Sequence, residues 1–337
     1  MKLSEIGEFG FIDIIESHGL IRPSGIVKGI GDDCAVIEQP GGDCLLVTTD
    51  LLVEHVHFVP DTTTAEQLGE KALAVNLSDI AACGGAPLEA FISLAVPDGT
   101  EVTWLEGFYE GMRSLARQFD VNLLGGDTTK SKGHLVINIA VIGTVAEQEV
   151  LLRNGACVGD KLIITGALGE SSAGLNVLLS KPDMPARITD PLVRSHLTPR
   201  PHVSEGRFLA QSGACTAAID VSDGLSSDLH HICRQSGVGA IVRESALPVG
   251  PDIATVAADL NVDPLKWILN GGEDYVLLAA VQSHALSSLI RDADRHGFII
   301  HEIGEIVSTG RTELLEKTGK TREITPQGWD HFSVTDQ

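Results

Sequence analysis

Six times along this chain an apolar run gives way to a short segment that sets an acid beside glycine or a small polar residue. In order these are GIGDDCAV around Asp32 and Asp33, TTD ending at Asp50, LSD ending at Asp79, GGDTT around Asp127, DVSDG with Asp220 and Asp223, and GGEDY with Glu273 and Asp274. Between them strand-like and helix-like segments alternate from end to end, which predicts an α/β chain. Strands are expected at 44–49, 88–96, 135–145, 161–165, 215–220 and 275–281, and helices at 65–82, 103–119, 172–179, 204–211, 225–236 and 284–297. In the first of these helices Leu68, Ala72, Val75 and Asp79 share one face, and an acid closing an apolar stripe needs an explanation.

The 337 residues suit two domains of about 150 residues each. Charge and glycine in AEQEVLLRNGACVGD place the boundary at residues 146–160, giving 1–150 and 151–337. Five prolines between Ser180 and Pro201 predict an ordered surface loop with a short helix. A net charge of −22 would repel a phosphate backbone, and aromatics at 4% supply no row of stacking platforms, so nucleic acid is not an expected partner. The best apolar run, Leu135 to Val145, is 11 residues long and interrupted by Asn138, so no membrane span is expected. The opening MKLSEIGEFGFIDIIESHG has no basic region before an apolar one, and six cysteines form no CxxC. A cytoplasmic protein with reduced cysteines is the expectation.

For any single acidic segment a turn or helix cap is an adequate account. The set demands more, because acids beyond successive strands of an α/β sheet converge in space. Two carboxylates at ~6 Å in an effective dielectric of ~20 repel by roughly 3 kcal/mol. Divalent cations resolve that conflict, and a ligand set made of oxygens selects a hard ion such as Mg²⁺. Mg²⁺ in turn points to a polyphosphate carried by metal. GxxxxGK[ST], GxGxxG and HRD are absent, so phosphate has to be held otherwise. The glycine pairs 125–126 and 271–272 offer close backbone approach. The GALGESSAG segment reads either as an anion-binding helix entry or as an ordinary turn and cap.

Taken together, GEFGFI, GIGDDCAV, TTDLLVEHVHF, KALAVNLSDIAACGGAP, GGDTT, RNGACVGD, GALGESSAG, DVSDGLSSDLHHI, GGEDY and GWDHF resemble, in order and over nearly the whole length, the thiamine-monophosphate kinases of the aminoimidazole ribonucleotide synthetase-like superfamily. The resemblance implies a two-domain α/β fold of the α+β type, whose N-terminal mixed sheet pairs in a homodimer and whose C-terminal α/β domain completes the site. It implies transfer of phosphate from ATP to thiamine monophosphate, with several Mg²⁺ ions. Matching motif to motif, the metal positions would be Asp33, Thr48, Thr49, Asp50, Asp79, Asp127, Asp220 and Asp223. Tyr109, Gly126, Asp127, Arg153 and Ser222 would touch ATP, and His57, Glu273 and Trp329 the thiamine phosphate. The family's GGEDYEL stands here as GGEDYVL, with Val276 in place of an acid.

From the residues alone, His57 and His55 also read as surface members of a strand, Arg153 as the partner of a surface acid, and Trp329 as packing. Competing readings are another ATP-using member of the superfamily, such as aminoimidazole ribonucleotide synthetase, or a silent nucleotide-binding scaffold. GGEDY and GWDHF point away from the synthetase, and the complete acid set points away from the scaffold. The first cysteine lies within GDDCAV and the chain ends VTDQ, features that weaken a selenophosphate synthetase or hydrogenase-maturation reading.

Overall fold

The computed structural model describes residues 2–329, 331 and 332; Asp330 of the GWDHF motif and residues 333–337 lie outside it. The first part of the chain runs α1 (Leu3–Gly19), β1 (Ile26–Lys28), β2 (Ala35–Glu38), β3 (Asp43–Val53), α2 (Ala65–Ala82), β4 (Ala86–Pro97), α3 (Val102–Phe119), β5 (Asn122–Ser131) and β6 (Val136–Ala146). Its strands form one sheet in the order β1-β2-β3-β6-β4-β5. Then follow β7 (Lys161–Ile164), α4 (Glu170–Ser180), α5 (Ala186–Leu197), α6 (Val203–Ser212), β8 (Cys215–Asp220), α7 (Leu225–Ser236), β9 (Gly239–Arg243), α8 (Pro251–Asp259), α9 (Pro264–Asn270), β10 (Leu277–Val281), α10 (Leu286–His296), β11 (His301–Val307), β12 (Thr312–Leu315) and β13 (Thr321–Glu323). These strands make a second sheet, β13-β12-β9-β11-β7-β10-β8.

Among the described strands, only β4–β5 and β9–β12 pair in parallel. The acids therefore do not gather by the rule for parallel sheets, and helix α2 brings them together instead. It starts on a capping box, with the Thr64 side chain accepting from the Gln67 amide and the Gln67 side chain accepting from the Thr64 amide. Its buried residues run around its whole circumference, from Leu68 through Lys71, Asn76 and Ser78 to Ala82. A helix buried all round sits inside a core. Here one face packs on β3 and β6 and another on α6 and β8, so one apolar cluster runs from Leu46 and Ile139 of the first sheet to Ile163 and Ala279 of the second. α3 lies close against α2: a Cβ on Gly69 would stand 1.8 Å from the Phe108 carbonyl oxygen.

The Pro182–Pro201 stretch holds a longer helix than expected, the 12 residues of α5, with Pro191 inside it. All six cysteines are free; Cys34, Cys44, Cys83 and Cys233 are buried, whereas Cys157 is exposed. Among the described residues no helix is long and apolar enough to cross a membrane.

Candidate active site

β2 begins at Ala35, opposite Val47, so from Thr48 onward β3 has a free edge beside the 29–34 loop. Polar side chains of α2 fill that edge. Asn76 accepts from the Asp50 amide at 3.1 Å, and the Thr48 hydroxyl donates to the Asp79 carboxylate. On the other side of the helix Ser78 donates to Asp220 Oδ2 at 2.6 Å. Successive residues of α2 thus bind the two sheets, and Asp33, Asp79 and Asp220 each place an oxygen within 4.8 Å of the others.

Protein groups leave this nest under-compensated. Buried Asp33 Oδ2 and Asp220 Oδ1 have no hydrogen-bond partner. Burial, followed by the charge of Asp33, pushes the Asp220 carboxyl up to about 8 and that of Asp50 to about 6. Asp79 is raised well above the ordinary range by burial and by its Asp50 and Asp220 neighbours. Burial and Asp33 likewise raise Asp32 to about 7. Two cations answer these five acids: Arg153 grips Asp33 Oδ1 through Nε at 3.2 Å and Nη2 at 2.5 Å, and Lys28 stands 3.9 Å from Asp32. Oxygen donors, orphaned lone pairs and excess negative charge fit a hard divalent cation such as Mg²⁺. Asp33, Asp79 and Asp220, with Asp50 and Thr48 beside them, could hold it.

A second corner lies two turns away on α2, about 12 Å along the helix from Asp79. Lys71, 3% exposed, reaches Glu273 at 2.6 Å, and His196 Nδ1 stands 3.3 Å from the same carboxylate. Burial would raise Glu273, but Lys71 and His196 outweigh it and hold the carboxyl below its ordinary value. Glu273 takes a left-handed backbone, φ 64°, and its amide donates to the Ser222 carbonyl at 2.7 Å. Ser222 belongs to the loop after β8, where the Asp223 and Gly224 amides donate to Asp228 and the Trp329 amide donates to the Asp223 carbonyl. His57 Nδ1 accepts from the Val53 amide at 3.0 Å; its ring lies 4.9 Å from that of His331, which is 5.6 Å from the Trp329 ring. Burial, then His331, lowers the His57 pKa against the pull of Glu273. The structure therefore brings His57, Glu273 and Trp329 to one corner.

Tyr109, Gly126 and Asp127 stand elsewhere. Tyr109 packs edge-on against Phe108 of α3. Gly126 and exposed Asp127 lie on edge strand β5, with β4 and β6 between them and β3. A Cβ on Gly126 would meet the Ile92 carbonyl oxygen at 1.6 Å, so glycine here serves strand pairing. Asp50 and Asp127 lie inside strands, Asp79 inside α2, and Thr49 meets Asn138 at 2.8 Å on the open face of the sheet. The GALGESSAG loop is an internal cap: its Gly169 and Ser171 amides donate to Asp274 at 2.6 and 3.1 Å. Sequence reasoning passed over Lys71 and His196. The available signal was Lys71 as the one cation in an otherwise apolar face ending at Asp79.

Fold and site define a two-sheet α/β protein whose buried carboxylates, at the junction of the sheets, suit a divalent cation. Known proteins agree with that fold. Residues 31–145 match the family model for the AIR synthase related protein N-terminal domain, and residues 158–317 that for its C-terminal domain. Thiamine-monophosphate kinase of Bacillus subtilis is 36% identical over 96% of this chain and 99% of its own length, and that of Escherichia coli 37% over 97% and 99%. The solved structure described as AaThiL complexed with AMPPCP and TMP superposes with a TM-score of 0.85 at 32% identity, covering 98% of this chain and 99% of that one. The chain belongs to the thiamine-monophosphate kinase family of AIR synthase related proteins.

Proposed function

We propose that this protein transfers the γ-phosphoryl group of ATP to thiamine monophosphate, giving thiamine diphosphate and ADP. The observation that carries the reading is the convergence of Asp33, Asp79 and Asp220 with oxygens left unpartnered, in a chain of this family. The acceptor needs no general base, because a phosphate monoester with a second pKa near ~6 is mostly a dianion at neutral pH. What the chain must supply is charge compensation and alignment for in-line attack.

Asp33, Thr48, Thr49, Asp50, Asp79, Asp127, Asp220 and Asp223 are assigned as holding several Mg²⁺ ions. Bound there, these ions neutralise the polyphosphate and the charge developing in transfer. Tyr109, Gly126, Asp127, Arg153 and Ser222 bind the nucleotide. Arg153 offers a planar fork to phosphate once its hold on Asp33 is shared with metal. His57, Glu273 and Trp329 hold the thiamine phosphate, with Lys71 keeping Glu273 ionised. The working unit is a cytoplasmic homodimer, divided near residue 150 into an N-terminal domain for nucleotide, metal and pairing and a C-terminal domain that completes the site. Its contact is the open face of the first sheet, where Leu51, Leu88 and Phe91 are exposed.

The deciding experiment is an assay with ATP, Mg²⁺ and thiamine monophosphate, separating thiamine diphosphate by chromatography, beside metal-free and unphosphorylated thiamine controls. Product only with monophosphate and metal is expected. Product from thiamine, or net retention at phosphorus, would overturn direct transfer to the monophosphate.

A further inference from the structure

Among the described residues, a cluster that shares no member with the nest of carboxylates also has the make-up of a metal site, and its chemistry differs. Glu54 ends the pairing of β3 with the segment entering β6, His55 begins the turn that follows, and His134 lies in the turn between β5 and β6. The Glu54 amide donates to the Leu135 carbonyl at 3.0 Å, and Glu54 Oε2 accepts from the Leu135 amide at 2.6 Å. That exchange clamps the two turns together. His55 and His134 then face each other edge to face with centroids 5.3 Å apart, and one ligand atom from each of Glu54, His55 and His134 lies within 4.8 Å of the others.

Two imidazoles and a carboxylate are the donors of a borderline ion, not of Mg²⁺. Ligands of a tetrahedral zinc site with bonds of about 2.05 Å stand about 3.4 Å apart. His55 Nε2 and Glu54 Oε1 are already 3.4 Å apart, so rotation of the exposed His134 side chain completes three positions and leaves a fourth for water. His55 adopts φ 63°, a left-handed conformation that a residue with a Cβ takes only at a cost in backbone strain. The turn nevertheless carries an imidazole there, aimed at His134.

We propose that Glu54, His55 and His134 form a binding site for one zinc-type divalent ion per chain, separate from the all-oxygen site and pinning the 54–58 turn, which carries His57, to the 131–135 turn. The test is a Zn²⁺ titration of the metal-stripped full-length protein against a chromophoric chelator at neutral pH, with Mg²⁺ in large excess to fill the carboxylate site. One equivalent should bind despite the Mg²⁺. His134→Ala, at an exposed turn position, and His55→Asn, which keeps a side chain tolerant of positive φ, should each weaken it at least about tenfold. Co²⁺ should give the visible bands of a four-coordinate nitrogen and oxygen site. Displacement of Zn²⁺ by Mg²⁺, unchanged affinity in both variants, or an intense sulfur-to-cobalt band assigning the ion to a cysteine, whether exposed Cys157 or Cys83 beside Asp32 and Asp33, would each overturn the site.

Discussion

Two buried acidic corners share helix α2 and treat charge in opposite ways. At Glu273 the cation is part of the chain: Lys71 lies 2.6 Å away, and the carboxyl sits below its ordinary value. At Asp79 and Asp220 the chain supplies hydroxyl donors from Thr48 and Ser78 but no adequate cation, and the carboxyls are driven upward. A protein that builds a Lys–Glu pair on one turn of a helix and leaves carboxylates uncompensated two turns later is leaving room for a cation that arrives from solution. The first corner is completed by folding, the second by binding.

Removing a carboxylate should break that contrast most visibly. Asp220→Asn or Asp79→Asn should lower kcat by about 10²–10³-fold or more while raising the melting temperature of metal-free protein at pH 8, because a repelling charge is gone. Calorimetry beside the kinase assay checks both; a variant that loses activity and metal-free stability together would mean the nest is a structural network. At the other corner the effect falls on stability. Glu273→Gln strands buried Lys71 and should cost about 3–5 kcal/mol, more than Lys71→Met, which strands a carboxylate that is still 26% exposed. Urea midpoints in the reverse order would show that the pair is not the dominant interaction there.

The pH response sharpens the same comparison. Asp50, Asp274 and Asp220 have folded-state values raised to about 6, 7 and 8, above the value near 4 of an unfolded carboxyl. Between those limits the folded protein holds protons that the unfolded chain has released, so metal-free stability should fall as pH rises from about 4 to 8. Mg²⁺ at about 100 times its Kd should restore about 2.7 kcal/mol at the upper end. A flat melting profile across this range without metal would contradict the assigned shifts.

How much of this was legible in the sequence depended on whether a residue's neighbours in sequence are also its neighbours in space. The long strands and helices were legible because their apolar patterns are continuous, and Asp79 because it closes the stripe of α2. Strand β5 read as a glycine-rich turn: it is an edge strand exposed almost throughout, so it carries no burial alternation. Lys71 escaped as a partner because Glu273 lies about two hundred residues away in sequence, and the GALGESSAG loop looked like an anion site because its cap, Asp274, lies about a hundred residues away. Strand direction was not legible in the hydrophobic runs, which record burial alone; that the N-terminal sheet is mixed came from the family resemblance.

The smallest expected effect lies at Trp329, and its size tests whether the second corner holds substrate at all. The residue is 46% exposed and is fixed through its amide to the Asp223 carbonyl, an attachment that any side chain preserves. Trp329→Ala should therefore leave the melting temperature unchanged and raise KM for thiamine monophosphate by about tenfold or less, the loss of one ring contact of about 0.5–1.5 kcal/mol, with kcat held within about twofold because the ring contributes equally before and during transfer. Trp329→Phe should recover most of the affinity. A loss of kcat on the scale of the aspartate variants would move Trp329 from holding the acceptor to shaping the metal site, and would join the two corners that the geometry keeps apart.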